Sequence, residues 1–392
     1  MIFYIREIYI GEEEIDMLKI LFLIHDLGQG GAEKVLVNLV NNMDQTKFSI
    51  TVVSLFGGGV NEQFLAPHIR YRTIFKRSFP ANSYIMKAFS PKQLHGFFIK
   101  EKYDIEVAYL EGPSARIISG CHNKETKLVS WIHCTMHSEK NVAESFRSIQ
   151  EAKNCYKRFH YMVYVSKTCE KAFQKFCPTR GNNVVLYNTN DSDAIRNSAK
   201  RKIDDKEFPI DTFLWCGMGK LIPVKAFDRM LRIQERLISG GRNVHLFILG
   251  DGPLKGELEK WCSDHGISSS VTFLGYQTNP YKYLAKCDLF VCSSYSEGFS
   301  TAATEALIVG VPVCSVEVSG MREMLGEDNE YGVITDNNEE DLYEAIQSLV
   351  DNPKLLTHYK IKAKERGDDF TMSKTVKAVE DFFLRMRGTD QL

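Results

Sequence analysis

Glu297 and Glu305 stand with seven residues between them in the run Ser296-Glu297-Gly298-Phe299-Ser300-Thr301-Ala302-Ala303-Thr304-Glu305. The apolar stretch Leu289-Phe290-Val291-Cys292 before them reads as a buried parallel strand, and Ala302 to Val309 reads as a helix. Both acids therefore border a strand-to-helix turn. The first amides of a helix lack partners within it and sit at the positive end of its dipole, which suits a phosphate. Gly298, Phe299, Ser300 and Thr301 would line that anion, with Ser300 and Thr301 as expected caps. Carboxylates accept hydrogen bonds from hydroxyls, and a sugar nucleotide carries hydroxyls on both sides of a diphosphate. The same spacing also suits a plain solvated helix face.

A second loop, Gly217-Met218-Gly219-Lys220-Leu221-Ile222-Pro223-Val224-Lys225-Ala226, follows the apolar run Phe213-Leu214-Trp215-Cys216 and leads into a helix through Ile238. Lys220 and Lys225 in such a loop can converge on a diphosphate and stabilise it as a leaving group, or they can be solvated. A third loop, His25 to Glu33 with Gly28, Gly30 and Gly31, follows the strand candidate Leu18 to Ile24 and precedes a helix from Lys34 to about Met43. Its glycines let a ligand come close to the backbone. His133 ends the strand Lys127 to His133. With His137 it has the spacing of a helical metal pair, yet no third ligand is near and no HExxH pattern occurs, so no metal is expected.

These loops need doubly wound sheets to hold them, with ligands off the strand ends. A chain of 392 residues with 44% hydrophobic content suggests two domains of roughly 150 to 200 residues. The expected division is an extension at 1–16, a first domain at 17–189, a polar linker at 190–211, a second domain at 212–366 and a tail at 367–392. Net charge is −1, which gives no global field for nucleic acid. The ten cysteines form no CxxC pair and read as reduced thiols of a cytoplasmic protein. No apolar run approaches the roughly 18 residues of a membrane span. Residues 70–102 interleave Arg70, Arg72, Lys76, Arg77, Lys87, Lys92, Lys100 and Lys102 with Tyr71, Phe75, Phe79, Tyr84, Phe89, Phe97 and Phe98. Such a segment suits peripheral contact with an anionic membrane surface, or a solvated face over core aromatics.

The glutamate run resembles the glutamate-x7-glutamate signature of retaining glycosyltransferases of family 4. The likeness extends from Met17 onward, through Gly30-Gly31-Ala32-Glu33, Trp131-Ile132-His133, Ser166 and Gly219-Lys220-Leu221. It implies a GT-B fold, two facing Rossmann-like domains with a cleft between them, and a tail helix that crosses back to the first. It implies that Glu305 holds the ribose, that Glu297 and His133 contact the donor sugar, that Gly219, Lys220 and Lys225 clamp the diphosphate, and that Gly30 and Gly31 face it. The activity implied is metal-independent transfer from a nucleotide sugar, with UDP as the expected carrier, to a saccharide or lipid-linked saccharide. Lys220 stands where arginine is usual, Ala226 and Met321 where glycines are, and Thr189 where proline or glycine is. A phosphorylase and a non-catalytic partner subunit of the same fold are the competing readings; joint retention of Lys220, Lys225, Glu297 and Glu305 argues for catalysis.

Overall fold

The computed structural model describes residues 17–179 and 181–388; the extension expected at 1–16 lies outside them. Two all-parallel sheets carry the molecule. The first contains β1 (Leu18–Ile24), β2 (Phe48–Phe56), β3 (Arg70–Phe75), β4 (Ile105–Tyr109), β5 (Lys127–Ile132), β6 (Tyr161–Tyr164) and β7 (Asn182–Val185), in the order β3-β2-β1-β4-β5-β6-β7. The second contains β8 (Phe213–Met218), β9 (Val244–Leu249), β10 (Val271–Gly275), β11 (Leu289–Cys292), β12 (Val313–Val316) and β13 (Val333–Thr335), ordered β10-β9-β8-β11-β12-β13. In each sheet the order reverses beside the first strand, at β1/β4 and at β8/β11, where doubly wound folds bind ligands.

Central strands are mostly apolar because helices cover both faces of a parallel sheet. β1 buries Ile20 to Ile24 completely and β9 buries every residue. At the edge, β3 alternates between exposed and half-buried positions.

β7 ends at Val185, because Asn188, Thr189 and Asn190 turn into the domain boundary, where Asn188 Nδ2 donates to the Phe299 carbonyl at 3.2 Å. The polar stretch 190–211, expected as a linker, contains a helix. Asp191 caps a helix, Ser192–Ala199, and Arg196 of that helix donates to the Ile308 carbonyl and pairs with Asp368. Residues 70–102 are not only surface: Arg70–Phe75 is a sheet edge, and Phe75 and Phe79 pack edge-on against each other and on Phe56.

The last helix, Met372–Gly388, lies on the first domain. Phe383 packs edge-on against Phe22 of β1, Phe382 against Tyr161 of β6, and Glu380 accepts the Asp44 amide at 2.6 Å.

Candidate active site

The turn after β11 gathers its polar groups around Glu297. Its Oε1 accepts from Lys225 Nζ at 2.6 Å and from Ser294 Oγ at 2.6 Å, and its side chain is one-tenth exposed. Burial works against the charge of Lys225, but the Glu297 carboxylate outweighs it and raises the ammonium pKa. Lys225 is therefore a permanent cation fixed at the turn. Just after it, Ala226 has φ 50° and ψ 45°. An L-residue in that left-handed region costs about 1–2 kcal/mol, which explains why glycine is the usual choice there.

Helix Thr301–Val309 begins where the charge pattern requires. Ser300 Oγ accepts the Ala303 amide at 3.3 Å; Thr301 is the first helical residue and does not cap. The amides of Thr301 and Ala302 precede any intrahelical acceptor and are available to an anion. The Phe299 side chain is buried, stacked on Tyr187 at 5.0 Å and set edge-on to Phe370 at 5.9 Å, so the ring anchors the turn and only the backbone of this residue can line an anion.

The first domain closes directly on this turn. A Cβ on Gly298 would lie 1.8 Å from the His133 carbonyl oxygen, and one on Gly31 would lie 2.9 Å from Thr301 Oγ1. Thr135 Oγ1 donates to the Glu297 carbonyl at 2.7 Å, and His137 Nε2 is hydrogen-bonded to Ser296 Oγ at 2.8 Å. Ser166 Oγ donates to the Gly298 carbonyl at 3.1 Å, and Glu323 Oε1 accepts the Lys167 amide at 2.8 Å, capping a first-domain helix from across the boundary.

His133 is buried against Tyr109 and Trp131, and its Nε2 has no partner. Burial pulls its pKa down to about 3, so the ring is neutral and offers one donor or acceptor. Its own amide donates to Glu111 Oε2 at 2.9 Å. Lys220 is exposed in the opposite loop. Asp26 in the glycine loop is held below the ordinary carboxylate range, chiefly by its hydrogen bond from His25 and slightly by the charge of Lys220.

Glu305, one helical turn beyond the anion site, is buried and bonded to Lys34 and Tyr281. Sequence reasoning missed both partners. Lys34 had a faint signal, since it follows Gly30 and Gly31 on the first turn of its helix. Tyr281, Glu111 and Thr135 had none.

Known proteins match this arrangement. The model of "Glycosyl transferases group 1" matches residues 199–366. The N-acetylgalactosamine-N,N'-diacetylbacillosaminyl-diphospho-undecaprenol 4-alpha-N-acetylgalactosaminyltransferase of Campylobacter jejuni is 28% identical over 384 residues, which cover 94% of this chain and 100% of that protein. The D-inositol 3-phosphate glycosyltransferase of Rhodococcus opacus is 32% identical over 206 residues, covering 50% of this chain and 44% of the relative. Among solved structures, Anabaena HepE in complex with UDP superimposes with a TM-score of 0.73 at 18% identity, over 94% of this chain and 100% of that one. That likeness is one of fold, with two Rossmann-like domains in the GT-B arrangement. Residues 199–366, the domain that carries both lysines and both glutamates, match the family model of the glycosyl transferases of group 1.

Proposed function

We propose that this protein is a retaining glycosyltransferase that moves a sugar from a UDP-sugar to a hydroxyl of a lipid-linked or cell-surface saccharide. The observation that carries the reading is the Lys225–Glu297 pair at 2.6 Å, set beside the uncapped amides of Thr301 and Ala302. The Campylobacter relative, named for transfer to a diphospho-undecaprenol saccharide, supports the acceptor class. HepE, solved with UDP, supports the carrier.

In this reading the diphosphate lies between Lys220, Lys225 and the helix amides, which supply the positive charge that a divalent ion supplies in other enzymes. Gly219, Gly30 and Gly31 allow the backbone to approach it. Glu297 and neutral His133 accept and donate hydrogen bonds to sugar hydroxyls and fix the ring. The acceptor hydroxyl attacks the anomeric carbon on the face that the diphosphate leaves. The departing phosphate oxygen takes the hydroxyl proton, so the anomeric configuration is kept. Closure of the first domain excludes water and limits hydrolysis. The work is done on the cytoplasmic side of an anionic membrane, against which the basic, aromatic face of residues 70–102 docks.

Donor turnover tests this. Lys225→Ala and Glu305→Ala should each lower kcat/KM for the UDP-sugar by at least ~100-fold, with proton NMR of wild-type product showing the donor's anomeric configuration. Near-normal turnover in both variants, or an inverted product, would refute the assignment.

A further inference from the structure

Glu305 is engaged by two side chains of this protein. Its Oε1 accepts from Lys34 Nζ at 2.7 Å and from the Tyr281 hydroxyl at 2.8 Å, and Lys34 also donates to Tyr281. Tyr281 belongs to the same domain as Glu305 and opens the short helix Tyr281–Leu284 after β10. Lys34 belongs to the other domain, on the first turn of helix Gly31–Asn42.

Only 6% of the Glu305 side chain is exposed, whereas Lys34 keeps 43% of its surface in solvent. A carboxylate so far from water needs a cation or several donors to stay charged. Tyr281 alone offers one hydrogen bond, and Lys34 supplies the charge. Burial opposes the charge of Lys34, but Glu305 more than offsets it, so the ammonium is kept. The Tyr281 phenol is pushed up, first by burial and then by Glu305, and remains a donor. Both partners take the same oxygen, Oε1.

We propose that Lys34 and Tyr281 are positioning residues for nucleotide recognition: they hold one oxygen of Glu305 so that the other meets the ribose diol. Because Lys34 crosses from the opposite domain, recognition of the ribose is complete only when the domains are closed. The proposal rests on the reading of Glu305 as the ribose acceptor. It adds that the first domain, which makes no base or ribose contact through its own loops in that reading, nonetheless sets the preference for a ribonucleotide. A brace that merely tied the domains together would affect every uridine nucleotide alike.

Calorimetric titration of the full chain with UDP and with 2′-deoxy-UDP separates the two. Wild type should prefer UDP by at least about tenfold, the value of a hydroxyl bonded to a buried charged acceptor. Lys34→Met should cut that preference to about threefold or less, Tyr281→Phe should weaken it, and Lys34→Arg should restore it, with thermal melts confirming that each variant is folded. A Lys34→Met variant that binds both nucleotides more weakly by the same factor, leaving their ratio unchanged, would overturn the proposal. Failure of wild type to bind UDP at all would instead remove the donor reading, and this proposal with it.

Discussion

Gly298 shows how much a single position can demand. Its backbone rests against the His133 carbonyl with no room for a methyl group, and the contact joins two domains instead of filling one core. Gly298→Ala should therefore prop the cleft open. The expected result is a fall in kcat of ~100-fold, the scale of a misplacement of about 1 Å, with a melting temperature close to wild type because opening relieves the clash. Kinetics paired with a thermal melt check it. A melting temperature that collapses would place the clash inside a folded core. The turns that hold the glutamates and lysines were legible in the sequence because each lies between a strand and a helix that the apolar pattern specifies. The burial of the Phe299 ring was not, because its direction is decided by Tyr187 and Phe370, residues far away in the chain. The Lys34–Glu305 pair spans 271 positions and is set by closure, which no local pattern encodes.

Among the described strands, β4 is the one that carries a buried acid. Glu106 is 2% exposed on a central strand and bonds to His95 Nε2 at 2.8 Å, with the Cys121 thiol donating to it at 3.7 Å. Burial works against protonating His95, but the hydrogen bonds to Cys121 and Glu106 and the charge of Glu106 outweigh it and bring the pKa up to about 9. A histidine raised above its ordinary value stabilises the fold fully below about pH 6.5. That contribution is lost as pH rises through 9. It amounts to at most about 3 kcal/mol. Urea denaturation at pH 6 and pH 9.5 should show a loss in wild type that His95→Gln largely lacks; parallel curves would mean the pair is not titrating. The strands were readable as apolar runs, since a parallel sheet buried on both faces leaves no alternation to confuse. The edge strand β3 was not recognised, because half-exposure admits the charges of Arg70 and Arg72 and hides the run.

At the scale of the whole molecule, the segment 70–102 leaves large apolar side chains in water. Tyr84 is 79% exposed, Phe97 51% and Ile85 50%, on the helices Asn82–Ala88 and Pro91–Phe98, beside exposed Lys76, Arg77 and Lys92. No helix of the described residues is long and apolar enough to cross a membrane. Vesicles containing phosphatidylglycerol should retain the protein in flotation, and neutral vesicles should not. Replacing Tyr84 and Phe97 together with serine should lower retention at least ~10-fold, given roughly 1.5 kcal/mol or more per aromatic removed from water. Equal retention on neutral and anionic vesicles would sink the membrane reading. The two-sheet plan was legible from strand-loop-helix order alone, whereas the boundary was not, because its polar residues bond across the domains and do not run out as a tether.

The chain passes between the domains at residues 188–191 and returns at 368–372, and the passages lie side by side, with Ser192 Oγ accepting the Met372 amide at 3.3 Å. Tyr187, just before the first passage, and Phe370, within the second, both pack against Phe299. The crossing between the domains and the turn before helix Thr301–Val309 are thus one piece of structure. If the amides of that turn hold the leaving group as proposed, swinging the halves apart tugs on them and gears product release to the swing.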